Sequence, residues 1–270
     1  MIQIGWCAGI QQAGMLAESK LDYIECPLSS LPLEGNEGEL AEQLARYAEA
    51  DIPVRAMNLF APGGMKLVGP DSQPDRFRRY AYRAGEAASR IGAEVVVLGS
   101  GGARKVPDTW ERQRAEQQLL ECLSIIAEEW RGTEVTLALE PLNRKETNLI
   151  NSVSEAVRFA SQINAPAVRV LADFYHMDEE NEPLDTLVAY KDWIAHIHIA
   201  DTGRLAPGTG VYPYDEFIAT LAAIDYKGMI SAECGRWPES DEALNDSIAF
   251  MAAMRERIAD MARTKSSGHA

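Results

Sequence analysis

Histidine and cysteine are scarce in this chain, with four of each in 270 residues. The cysteines, Cys7, Cys26, Cys122 and Cys234, follow no CxxC spacing. That argues against a zinc ribbon and against a disulfide-stapled fold, so reduced thiols in a cytoplasmic protein are expected. Positive charge is short as well. Lys and Arg number 26 against 41 Asp and Glu, a formal net charge of −15. Neutralising phosphates with Lys and Arg drives nucleic-acid binding, so no nucleic-acid partner is expected. Anionic membrane surfaces are disfavoured for the same reason. No run is long and apolar enough to cross a bilayer, so no membrane association is expected. The start, MIQIGWCAGIQQAG, has no basic segment followed by an apolar stretch, and no signal peptide is expected. No GxGxxG follows the first strand-like run, which removes the usual ligand of a doubly wound sheet.

What the chain does have is regular alternation. Short apolar runs at 2–6, 22–26, 53–57, 94–99, 134–140, 168–173, 193–199 and 228–233 read as strands. Helical periodicity covers 11–19, 37–50, 74–91, 109–130, 153–163, 184–191, 214–223 and 241–261. Asp108, and Ser152 or Ser154, are candidate helix caps. Eight strand-then-helix units in about 250 residues is the count of a (β/α)8 TIM barrel, an α/β fold. The expectation is a single barrel domain over 1–262 with a frayed tail over 263–270, His269 solvated within it.

Side chains in a barrel strand alternate between the interior and the helix layer. In WIAHIHI, Ile197 and Ile199 share one face and His196 and His198 the other. The aliphatic face should meet the helices, so both histidines point inward, His198 nearer the C-terminal mouth. The same reasoning turns Glu140, Asp173 and Glu233 inward at the ends of the fifth, sixth and eighth runs. Three carboxylates this close cannot all stay ionised without a compensating charge. A divalent cation is the simplest compensation, and three oxygen donors with one imidazole suit Mn²⁺ best, then Mg²⁺ or Co²⁺, and Zn²⁺ less.

The stretches EPLNRKE (140–146), LADFYHM (171–177), HIHIADTGR (196–204) and SAECG (231–235) closely resemble the xylose-isomerase-like TIM-barrel superfamily. Within it they are most similar to the sugar phosphate isomerase/epimerase and ketose 3-epimerase group. The resemblance implies that Glu140, Asp173, His198 and Glu233 hold one divalent metal. It also implies that Glu146, His176 and Arg204 contact a small carbohydrate, and that the chain works as a homo-oligomer, a dimer or tetramer. VVVLGSGGARKVP (95–107) and NLFAPG (58–63) match less sharply. The implied activity is metal-dependent isomerisation or epimerisation of a ketose, polyol or sugar phosphate. Proton transfer through an enediolate would carry it, with Glu140 and Glu233 as the proton-transferring pair. Hydroxypyruvate isomerase, inosose-type dehydratase and a C-glycoside-cleaving subunit are the alternative activities in this superfamily. An AP endonuclease-like nuclease and a non-catalytic metal- or sugar-binding subunit are the remaining alternatives.

The first half of the chain offers looser candidates. Trp6, Phe60 and Trp110 are either an apolar wall against sugar carbons or core packing. Glu25 either accepts a sugar hydroxyl or pairs with a cation. Gly99, Gly101 and Gly102 either turn the chain or bring backbone N–H groups to a phosphate, with Arg104 beside them. Asn143 braces its loop, and Arg144 either does the same or forms a surface ion pair. His196 is expected to be hydrogen-bonded inside the barrel.

Overall fold

The computed structural model describes residues 1–267. Eight parallel strands close into one barrel: β1 (Gln3–Cys7), β2 (Tyr23–Pro27), β3 (Val54–Asn58), β4 (Val95–Leu98), β5 (Thr136–Leu139), β6 (Val168–Asp173), β7 (Ile194–Ile199) and β8 (Met229–Ala232). Every strand lies within or beside one of the eight apolar runs. Gly5 pairs with Ser231 where β1 meets β8, and this closes the ring. The helices are α1 (Ala13–Ala17), α2 (Glu37–Ala48), α3 (Pro74–Ile91), α4 (Gly101–Arg104), α5 (Arg112–Glu129), α6 (Val153–Ile163), α7 (Phe174–Glu179), α8 (Asp185–Ala189), α9 (Tyr214–Ala223) and α10 (Asp241–Ser267). Among the described residues, no helix is long and apolar enough to cross a membrane.

Two apolar layers hold this ring. Outward strand residues such as Ile4, Leu137, Val170, Ile197 and Ile230 pack on the helices in one large core. A smaller cluster of Tyr23, Ala56, Val95, Val97, Ala138, Leu171 and Met229 fills the interior. The alternation read from the sequence is therefore the alternation of the barrel wall. Local chemistry fixes the helix ends. Ser152 Oγ accepts the Glu155 N–H and caps α6. Asn36 caps α2, and Pro74 opens α3, where its missing N–H is harmless.

Two expectations are corrected. The helix expected from 109 starts at Arg112 with Glu111 as its cap, so Asp108 lies in a turn and caps nothing. The tail expected from 263 remains helical to Ser267 as part of α10. His269 lies outside the described residues.

Candidate metal centre

Each strand from β5 to β8 delivers one inward group to the mouth. Glu140 and Glu233 directly follow β5 and β8, Asp173 ends β6, and His198 sits one residue before the end of β7. The register pairs Asp173 with His198, and His198 with Ser231. One ligand atom from each of Glu140, Asp173, His198 and Glu233 lies within 4.8 Å of the others. His198 Nδ1 stands 3.5 Å from both Glu140 Oε1 and Glu233 Oε2. Glu140 Oε1 and His198 Nδ1 are buried and have no hydrogen-bond partner. Buried polar atoms are ordinarily paired, and unpaired ones converging on a point are what a bound ion would satisfy. The donor set therefore fits a hard or borderline divalent cation.

Asp173 has two duties. Its Oδ1 accepts the N–H groups of Tyr175 and His176 at the start of α7, which caps that helix. Its Oδ2 is 3.7 Å from His176 Nε2. His176 is in turn oriented by Asn143, whose backbone N–H lies 3.2 Å from Nδ1 and whose Nδ2 lies 3.0 Å from it. With Nδ1 accepting, Nε2 carries the hydrogen. It is buried without a partner and is available as a donor. Asn143 thus braces the loop, as expected. Arg144 forms an exposed ion pair with Glu180, the surface alternative.

Glu146 and Arg204 complete the rim. Arg204 Nη1 is 3.4 Å from Glu146 Oε1, and Nη2 binds Glu233 Oε2. The guanidinium also lies 5.2 Å from the Tyr175 ring centroid. Gly203 and Arg204 both adopt left-handed backbone, φ 72° and 61°. A non-glycine residue pays for this backbone conformation, so the loop around Arg204 must hold it there. All seven residues singled out for metal or substrate thus surround one mouth.

Electrostatics separates the two glutamates. Burial, and then the Glu233 charge, hold Glu140 above the ordinary carboxylate range despite His198. Burial also opposes ionisation of Glu233, but His198 and Arg204 outweigh it and bring its pKa to about 2.

The first half of the barrel contributes in ways the sequence did not announce. A Cβ on Gly99 would sit 2.1 Å from Glu140 Oε2, so the missing side chain is what lets that carboxylate reach its place. Arg104 is fully buried, and it donates to the carbonyls of Gly99, Glu140, Leu149 and Ile150. Burial lowers its pKa to about 10, which leaves it charged at neutral pH. It braces the backbone at the end of β5, so the suggestion of phosphate recognition is withdrawn. Glu25 is also fully buried, bound to His196, His198 and Ser231 rather than turned to a sugar hydroxyl. Trp6 and Phe60 are core residues. Phe60 packs edge-on against Phe77, Tyr80 and Trp130, and Trp6 against Trp237. Trp110 is half-buried, under the Arg114 guanidinium and bonded to Gln118, so for Trp6 and Phe60 at least core packing is the reading of the two that holds.

Fold and site together define a (β/α)8 barrel with a carboxylate–histidine cluster at its C-terminal mouth. The chain belongs to the xylose isomerase-like TIM barrel family, whose model matches residues 14–254. It is 30% identical over 175 residues to a 3-dehydro-D-guloside 4-epimerase of Escherichia coli (strain K12), a match covering 62% of this chain and 66% of that protein. It is 36% identical over 119 residues to a D-psicose 3-epimerase of Enterocloster bolteae, covering 44% of this chain and 38% of that one. The aligned stretches therefore span less than two thirds of these relatives. Among solved structures, an apo 3-keto-D-glucoside 4-epimerase from E. coli superposes with a TM-score of 0.78 at 21% identity, over 94% of this chain and all of that one.

Proposed function

We propose that the protein is a divalent-metal-dependent sugar isomerase or epimerase that acts on a ketose or keto-sugar by proton transfer through an enediolate. The observation that carries this reading is the convergence of Glu140, Asp173, His198 and Glu233, with unpartnered buried atoms facing one another. These four residues would hold the cation, with manganese the ion proposed. A bound divalent cation polarises a carbonyl and acidifies the neighbouring C–H.

The protein's own groups do the rest. Glu140 and Glu233 reach the mouth from β5 and β8, with β6 and β7 between them. One carboxylate removes a proton from carbon. The other enters the cycle protonated and returns a proton on the opposite face, which inverts that centre. Return to the adjacent carbon instead gives aldose–ketose isomerisation. His176 Nε2–H and the Arg204 guanidinium are the donors for the oxygen on which negative charge builds. Glu146, at the solvent edge, accepts a substrate hydroxyl while it steadies Arg204. The nuclease alternative finds no support in a chain of net charge −15.

The relatives named as epimerases of free ketoses and of keto-glycosides set the panel for the test. Free ketoses, 3-keto-glycosides and hydroxypyruvate are incubated with Mn²⁺ in D₂O and followed by NMR. Deuterium should enter at the carbon beside the carbonyl of at least one compound. Glu233→Gln should slow that exchange by about 10²–10⁴-fold, the usual contribution of a positioned acid–base group. Unchanged exchange in that variant would remove Glu233 from the chemistry.

A further inference from the structure

Below the carboxylate cluster lies a buried network that no step above uses. Glu25 is fully buried. Its Oε1 lies 2.9 Å from His198 Nε2, and its Oε2 lies 2.8 Å from His196 Nε2. Ser231 Oγ donates to Oε2 at 2.6 Å, and the Tyr23 hydroxyl stands 2.8 Å behind Ser231. Room for the Tyr23 ring exists because residue 5 is glycine. A Cβ there would lie 2.4 Å from the ring. These contacts link β1, β2, β7 and β8 at one level of the barrel.

The geometry points to Glu25 as a positioning residue that decides which nitrogen of His198 faces the mouth. A carboxylate only accepts, so each imidazole placed on it must carry its hydrogen at Nε2. In His198 this leaves Nδ1 as the nitrogen aimed between Glu140 and Glu233. An imidazole ligates through one nitrogen while a partner on the other fixes its tautomer and ring angle. Glu25 supplies that partner from β2, with β8 and β1 between it and β7, while Ser231, backed by Tyr23, contacts only the other oxygen, Oε2, which faces His196. The inference rests on the reading of His198 as a cation ligand. It also opposes a second possibility. Cys7, Glu25 and His198 themselves bring ligand atoms within 4.8 Å of one another, and a cation there would need a bare Nε2.

The test compares wild type, Glu25→Gln and Ser231→Ala. Titration calorimetry with Mn²⁺ should show one site in the wild type. Glu25→Gln should weaken it by about 10–100-fold, the range seen when a ligand's orienting partner is lost. A glutamine amide can accept from only one of the two histidines and must aim N–H at the other. Ser231→Ala disturbs the same network without touching the His198 contact, so its affinity should stay within about threefold. Binding within twofold of wild type in Glu25→Gln would overturn the proposal, as would an equal loss in both variants.

Should Glu25→Gln fail to fold, wild type still decides the matter. Long-range ¹H–¹⁵N spectra of the histidine rings, with and without Mg²⁺, should show His198 carrying a hydrogen on Nε2 in both samples. A hydrogen on Nδ1 with Nε2 bare would overturn the inference. A wild type that binds no Mn²⁺ would overturn both the metal reading and the ligand-orienting role. Nε2–H in the spectrum would then report only a structural hydrogen bond.

Discussion

At the barrel mouth β5 to β8 each present a carboxylate or an imidazole, whereas β1 to β4 run out into Cys7, Pro27, Asn58 and, just past β4, Gly99. The two halves have the same backbone architecture in one closed ring, and each carries one register shift, at Ile24/Glu25 and at Val170/Leu171. The later half holds the groups that would meet a cation and a sugar. The earlier half holds those groups in place: Glu25 through two imidazoles, Gly99 by leaving space, Arg104 by gripping the carbonyl of Glu140. The difference teaches that a reactive half can depend on a half that offers little chemistry of its own.

The comparison breaks most visibly at Arg104, the link between the halves. Arg104→Met should strand the carbonyls of Gly99, Glu140 and Leu149, at about 1–3 kcal/mol apiece when left unmet, while that of Ile150 keeps the Leu142 N–H. A loss of at least about 3 kcal/mol is expected, seen as a Tm roughly 6–12 °C lower by calorimetry for a domain of this size. A Tm within two degrees of wild type would show that the two halves stand without this brace.

Next comes Gly99→Ala, which adds one methyl to the quiet half. It should displace Glu140 by enough to weaken Mn²⁺ binding on the order of 10–100-fold, as removal of a supporting contact does. Calorimetric titration reads this directly. Wild-type affinity in Gly99→Ala would mean that Glu140 has another way to reach the mouth. The smallest effect is expected at Arg144, in the active half but on its outer surface. Its pair with Glu180 is exposed on the arginine side, so Arg144→Ala should cost about 0.5 kcal/mol or less and leave exchange rates unchanged. A large loss there would extend the functional rim beyond Arg204.

The later half was legible in the sequence because its message is written in side chains with period two. His196 and His198 against Ile197 and Ile199, and Glu233 against Ile230 and Ala232, show which face is inside before any coordinates exist. The eight strand–helix units were legible for the same reason, since burial on two layers imposes alternation throughout. The earlier half was not. Gly99 acts through an absent atom, and a glycine before a short helix reads as a turn. Arg104 sits beside three glycines and looks like an anion binder. Only the path of residues 140–150 around it shows that carbonyls occupy its donors. Glu25 is a single acid in an apolar strand, and its partners are 171 and 173 residues away. The aromatic residues left two readings open because size alone does not say whether a ring faces a cavity or the helix layer, and burial settles Trp6 and Phe60 as core packing.

The carboxylate of Asp173 has a further consequence. Because the amides of Tyr175 and His176 hold one of its oxygens, the rotamer of this side chain is chosen by the turn of backbone beneath it. The ordering that a visiting ion or sugar would otherwise have to impose is complete once the chain has folded. A ligand reaching this side chain would meet a group already fixed, and the same turn that sets it also carries the imidazole of His176.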